Sequence, residues 1–252
     1  MQMNRVASML LLGMGISVSS VADSFSLEQQ EMRAQLTASR YTTLSAELGA
    51  KIAAISVKEG ESFTLGQPLI RLDCSLQLAQ LEKAKAQLTA AETSFAGNRK
   101  LADLNAIGQI ELGHSEAELQ KARADVVLME VTLEKCVIPA PFNGRVAEQK
   151  VREQQYIQPG QALLEVLDDS SLELEFIVPT RWVAWLKPGY PFQVHIDDTA
   201  RTYSVKLLRM GAKADPVSQS VKAVAVVKGR FPELIAGMSG RILLSPPAER
   251  NN

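Results

Sequence analysis

Residues 49–73 read GAKIAAISVKEGESFTLGQPLIRLD, and residues 143–167 read NGRVAEQKVREQQYIQPGQALLEVL. A constant shift of 94 positions lays one on the other. Lys51 then meets Arg145, Ile52 meets Val146, and Val57-Lys58-Glu59 meets Val151-Arg152-Glu153. Gly66-Gln67 falls on Gly160-Gln161, and Leu69-Ile70 on Leu163-Leu164. Two copies are too few for a solenoid, which needs about three repeats to bury its core. Two half-motifs that meet in space can instead close one small β domain. Within each copy, β-like runs (Lys51–Val57 and Leu69–Leu72 in the first) flank glycine turns at Gly60 and Gly66, and Pro159-Gly160 is the turn of the second.

Between the copies the period changes. Leu81, Ala84, Leu88, Ala91, Phe95 and Asn98 recur at alternating steps of three and four. Leu112, Ser115, Leu119, Ala122, Val126, Met129, Leu133 and Cys136 do the same after a break. Each set is an a/d seam. The break, about Asn105–Gln109, holds Gly108 and is short, so the spacing predicts two antiparallel helices of about 28–31 residues and an arm of roughly 40–45 Å. The tip residues Lys100, Leu104, Ile107, Gln109, Ile110 and Glu111 are the candidate contact site. Pro139-Ala140-Pro141-Phe142-Asn143-Gly144 stops the second helix, with Asn-Gly predicting a tight turn. Flexible joints are expected near Asp73–Ser75 and Ile138–Pro141.

Cys74 and Cys136, the two cysteines of the chain, stand at the two ends of this insert. Both then sit at its base, where they are either a disulfide closing about 60 residues or two small buried thiols ending the seams. Neither has a CxxC partner or a nearby histidine, which argues against thiol catalysis.

From Leu172 the pattern is all β. Leu172, Leu174 and Phe176 alternate with Glu173 and Glu175, and short strands follow at Val194–Ile196, Tyr203–Leu208, Val221–Val227 and Arg241–Leu244. This spacing predicts a small barrel or sandwich, completed by a strand near Arg33–Tyr41. A short helix is expected at Arg181–Leu186, with Trp182, Trp185 or both covering a barrel end.

The N-terminus carries Arg5, an apolar run Val6–Val18 and a small-x-small Ser20-Val21-Ala22, the layout of a secretory signal over residues 1–22. A buried N-terminal helix and an uncleaved anchor are the other readings. The expected organisation is 1–22 signal, 23–42 N-terminal segment and first barrel strand, 43–73 plus 137–168 the split domain, 74–136 the hairpin, 169–246 the barrel, and 247–252 a disordered tail. A net charge of −1 and 5% aromatic residues give no reason to expect nucleic acid. The two histidines, His114 and His195, fall in different expected domains, which disfavours a shared metal site. No phosphate loop or nucleophile elbow is present, so neither catalytic residues, cofactor nor metal is expected.

Three segments together resemble the HlyD-like membrane fusion protein family over about residues 32–246. They are the half-motif pair, including the return IPAPFNGRV; the heptad hairpin; and VPTRWVAWLKPGYPFQVHI followed by AGMSGRILL. The resemblance implies a mainly β fold with a long α-helical hairpin: a lipoyl-like (barrel-sandwich hybrid) domain split by an antiparallel coiled-coil hairpin, plus a small β-barrel. It also implies a non-enzymatic periplasmic adaptor, in oligomeric rings, linking an inner-membrane transporter of the resistance-nodulation-division (RND) or ABC type to an outer-membrane channel. The barrel side, with Trp182 and Pro188-Gly189, is expected to face the transporter and the hairpin tip to approach the channel. Adaptors of TolC-like channels carry Arg, Leu four later and Ser seven beyond; here the register gives Lys100, Leu104 and Glu111, so the leucine alone is kept. A stand-alone periplasmic binding protein and a lipoyl or biotinyl carrier are the alternatives; a carrier would display a lysine where this chain has Leu72-Asp73-Cys74-Ser75.

Overall fold

The computed structural model describes residues 31–229 and 231–244. The expected signal at 1–22 and tail at 247–252 lie outside the described residues.

The repeat is realised strand by strand. The first copy supplies β2 (Tyr41–Ser45), β3 (Ala50–Ile55), β4 (Ser62–Phe63) and β5 (Pro68–Asp73). The second, with the strand before it, supplies β6 (Val137–Pro139), β7 (Gly144–Gln149), β8 (Tyr156–Ile157) and β9 (Ala162–Leu167); β7, β8 and β9 lie 94 positions beyond β3, β4 and β5, and β6 lies 94 beyond the last three residues of β2. Neither copy makes a sheet alone. One sheet runs β2-β9-β7-β4 and the other β6-β5-β3-β8, so each copy lends its outer strands to the other. The hydrogen bonds repeat as well: Gly60 N donates to Val146 O and Gln154 N to Ile52 O, both at 2.9 Å. Ile52, Leu69, Ile70, Ile157, Leu163 and Leu164 are fully buried between the two sheets, each worth roughly 1.5–3 kcal/mol relative to exposure.

Gly144 is not a turn residue. It opens β7, and a Cβ there would collide with the Leu167 carbonyl, so glycine is required for close backbone approach. The bend precedes it, and Asn143 Oδ1 accepts a 2.7 Å hydrogen bond from Leu65 N.

Because the halves interlock, the chain between them leaves and returns at neighbouring points. It forms α1 (Ser75–Asp103) and α2 (Gln109–Glu134). Leu81 and Ala84 of α1 pack with Val126 of α2, flanked by Leu88, Met129 and Leu133. At about 1.5 Å per residue, 29 and 26 residues reach about 43 and 39 Å. The second helix is shorter than expected because Cys136, counted in its seam, already lies beyond Lys135, where the chain turns into β6.

The third unit is a closed barrel, β1-β10-β13-β12-β11-β14. Its strands are β1 (Glu31–Ala38), β10 (Leu172–Pro179), β11 (Pro191–Ile196), β12 (Arg201–Asp215), β13 (Ser220–Val227) and β14 (Ser239–Leu243). β1 alternates exposed and buried residues and pairs with both β10 and β14, which closes the barrel. The expected helix is a 3₁₀ turn at Thr180–Ala184. It brings Trp182 into the barrel core, 3% exposed, with its ring 5.3 Å from that of Trp185. β12 is longer than its sequence suggested. Two irregularities, at Leu207/Arg209 and Met210/Ala214, twist its second half outward, where both faces meet water and no alternation survives.

Candidate functional site

The base of the arm is tied at several points. Cys74 and Cys136 are bonded, with Cα atoms 6.2 Å apart. Beside them, Leu72 N donates to Cys136 O at 2.8 Å, and β5 and β6 pair with Arg71 opposite Val137. Lys135, at the end of α2, reaches Glu47 of the sandwich at 2.8 Å. The Glu47 carboxylate accepts its hydrogen bond and holds the ammonium above its ordinary value. Asp73 accepts a hydrogen bond from Ser75 N at the start of α1, which holds its carboxyl below the usual range. The joints expected at Asp73–Ser75 and Ile138–Pro141 are therefore braced. The first contains the bonded Cys74, and the second overlaps a paired strand.

At the other end, Asn105 breaks α1. Its φ of 55° is left-handed, a conformation asparagine tolerates. Asn105 N donates to Ala102 O and Ala106 N to Leu101 O, which together form a Schellman ending. Gly108, within the expected break, has extended geometry and precedes α2 as its N-cap. Lys100 lies in the last turn of α1, where its charge complements the helix dipole; Gln109, Ile110 and Glu111 open α2, and Glu111 does the same with opposite sign. Leu104 is 75% and Ile110 91% exposed, whereas Ile107 is half-buried. The tip thus presents two bare aliphatic side chains between a cation and a carboxylate.

Two features escaped the sequence reading. The first is an outward apolar strip on α2, formed by Val127, Leu128 and Val131 on the side away from the seam. The second lies where the chain crosses twice between sandwich and barrel, at 39–40 and 168–171. Ser39 N donates to Ser171 O, and Asp168 N to Arg40 O. Asp168 is buried. It accepts hydrogen bonds from Arg40 Nε at 3.0 Å, Arg40 Nη2 at 2.5 Å, Ser170 N at 3.0 Å and Ser170 Oγ at 2.5 Å. The Arg40 guanidinium also lies over the Phe142 ring at 5.2 Å. Burial pushes the Asp168 carboxyl up, but the hydrogen bonds from Ser170 and Arg40 outweigh it and leave the group below its ordinary value.

The described residues contain no cluster of metal-ligating side chains. His114 is exposed on α2. His195 Nδ1 lies 3.3 Å from Thr202 Oγ1 in the barrel. No described helix is long and apolar enough to cross a membrane.

No family model matches the chain. The multidrug resistance protein MdtA of Escherichia coli O157:H7 is 27% identical over 221 residues, 78% of this chain and 52% of that protein. A MacA–MexA chimera containing the α-hairpin domain of Pseudomonas aeruginosa MexA superposes with a TM-score of 0.74 at 19% identity, over 85% of this chain and 81% of that one. The membrane fusion protein Spr0693 of Streptococcus pneumoniae gives 0.70 at 16%, over 84% and 96%. The chain is similar to these membrane fusion and efflux proteins over about four-fifths of its length and shares the fold of the two solved structures. It spans about half the length of the curated relatives it matches.

Proposed function

We propose that this chain is the periplasmic adaptor of a tripartite efflux or secretion system, joining an inner-membrane transporter to an outer-membrane channel. The observation that carries the reading is the braced arm. A rod of about 40 Å leaves a domain whose halves interlock, and its tip ends in the exposed Leu104 and Ile110. On this reading the interlocked sandwich is a lipoyl-like domain and the helical pair an antiparallel coiled coil. The chain works by spanning distance, with no catalysis and no cofactor. Lys100, Leu104, Ile107, Gln109, Ile110 and Glu111 make the channel contact or meet the tip of another copy. Leu104 and Ile110 supply its apolar part, while Ile107 supports the turn. The apolar strip Val127, Leu128 and Val131 favours assembly with further copies of the chain, as a ring, because it has no cover within one protomer. Relatives named as multidrug resistance proteins and as periplasmic linkers of efflux pumps support a transporter partner of the RND or ABC type and a TolC-like channel.

Leu104→Asp combined with Ile110→Asp tests this. Both residues are exposed, so the variant keeps its melting temperature and helicity. Export in the native host falls at least about tenfold, the effect of removing about 1.4 kcal/mol from a contact. Full export by the folded variant rejects a tip contact.

A further inference from the structure

We propose that the barrel pole farthest from the sandwich is a contact surface for an anionic lipid bilayer. β1 and β10 meet the sandwich at Ala38 and Leu172, so the opposite pole holds Glu31, Pro179 and the 3₁₀ turn. The outward half of β12 lies at the same end, since Asp215 pairs with Ser220 and Ser220 with Pro179; the turn Lys187–Tyr190, which follows the 3₁₀ turn into β11, lies there too.

Five exposed cations surround this pole: Arg33, Arg181, Lys187, Lys206 and Lys213. None of the five enters an ion pair among the described residues. Arg201, Arg209, Lys222 and Arg241 of the barrel do. Lys187 donates instead to the Val183 carbonyl at 2.9 Å. The carboxylates at this end are already engaged. Glu31 lies 3.8 Å from Arg241, and Asp215 accepts from Val217 N, Ser218 N and Ser218 Oγ. An open groove of about 840 Å³ on the side of the pole is lined by Arg33, Lys213 and Lys222, with Glu175 paired to Lys222 and Ile177 on its wall.

Single aliphatic side chains stand among these cations. Val217 at the β12–β13 turn is 92% exposed and Ile177 62%, and Val183 and Leu208 are also exposed. A protein partner is expected to meet a contiguous apolar centre with aromatic anchors. Here the aromatics face inward: Trp182 is buried, and Trp185 and Tyr190 pack against the core. Separate aliphatics among unpaired cations fit an interface of headgroups, where apolar side chains dip into the acyl boundary and cations hold phosphates.

The test uses the full chain and sedimentation with vesicles of phosphatidylglycerol mixed with phosphatidylcholine, or of phosphatidylcholine alone. It needs neither transporter nor channel, so it stands or falls apart from the adaptor reading. The protein sediments with the anionic vesicles, releases them at high salt, and ignores the neutral ones. Each cation near the surface contributes about fivefold. Arg181→Glu with Lys187→Glu therefore weakens binding by well over tenfold. Lys58→Glu with Arg152→Glu on the sandwich leaves it unchanged. Equal binding to both vesicle types, or unchanged binding by the pole variant, overturns the proposal. So does absence of binding to either vesicle type. Circular dichroism and melting of both variants establish that they fold.

Discussion

Replacing Asp168 isolates the brace between sandwich and barrel. The carboxylate side chain is 5% exposed and takes four hydrogen bonds, two from Arg40 and two from Ser170. Breaking a fully buried pair costs about 3–5 kcal/mol. The Arg40 side chain is 63% exposed and returns to water when released, so the smaller end applies. Asp168→Ala should cost about 2–3 kcal/mol, and Asp168→Asn, which keeps one oxygen acceptor, about 1–2. For a domain of this size about 1 kcal/mol moves the melting temperature by roughly 2–4 °C, so the alanine variant should melt about 5–10 °C lower. The pH dependence identifies the cause. Because the folded carboxyl sits below its ordinary value, its contribution is complete above the unfolded value of about 3.9 and is lost as pH falls through the folded value. Scanning calorimetry on wild type and Asp168→Asn should show a full gap at neutral pH that narrows below about pH 4, where a protonated aspartate resembles the amide. A gap that persists unchanged into acid, or none at neutral pH, refutes the ionic account.

Two further outcomes follow from the sandwich. Cys74→Ser with Cys136→Ser opens a loop spanning 62 positions and should cost about 3–4 kcal/mol, while the denatured wild type should show free thiols only after reduction. Gly60 and Gln154 occupy equivalent positions with φ of 82° and 66°, and no atom stands within 4 Å of a Cβ placed at Gly60. Gln154→Gly should raise stability by up to about 1 kcal/mol and Gly60→Gln lower it by about 1–2, since a left-handed side chain costs about that much; denaturant midpoints of the same sign for both would contradict the equivalence of the halves.

Legibility followed periodicity. The shift of 94 and the heptad steps are regular, and the seam from Leu81 to Phe95 is the set that lies inward on α1. Short or unperiodic features were lost. β4 and β8 have two residues each, too few to alternate, so the exchange of strands between halves could not be seen. The outward half of β12 is wet on both faces, which erases the signal that ended the expected strand at Leu208. Arg40 and Asp168 are 128 positions apart, and a lone aspartate before Asp169-Ser170 reads as a turn until the fold brings an arginine to it. The tip residues were placed by the register, but their roles were not: within the expected break at about Asn105–Gln109, Asn105 takes the left-handed position that ends α1, and Gly108 caps α2.

The bracing at the two joints differs in kind, and that difference says where the molecule bends. At the base of the arm a covalent bond, a strand pair and the Lys135–Glu47 ion pair act in parallel. Rotation there must break all three. Between sandwich and barrel the ties are two backbone hydrogen bonds, the exposed Arg145–Asp169 ion pair at 3.2 Å and one cluster centred on the Asp168 carboxylate, with its arginine already largely in water. A load applied at the tip is therefore carried through the arm into the sandwich as one body, and yields first at Arg40–Asp168. If Asp168→Asn leaves the arm's helicity intact while increasing protease cleavage at 168–171, the bend is there; increased cleavage near Ser75 or Lys135 instead would place it at the arm.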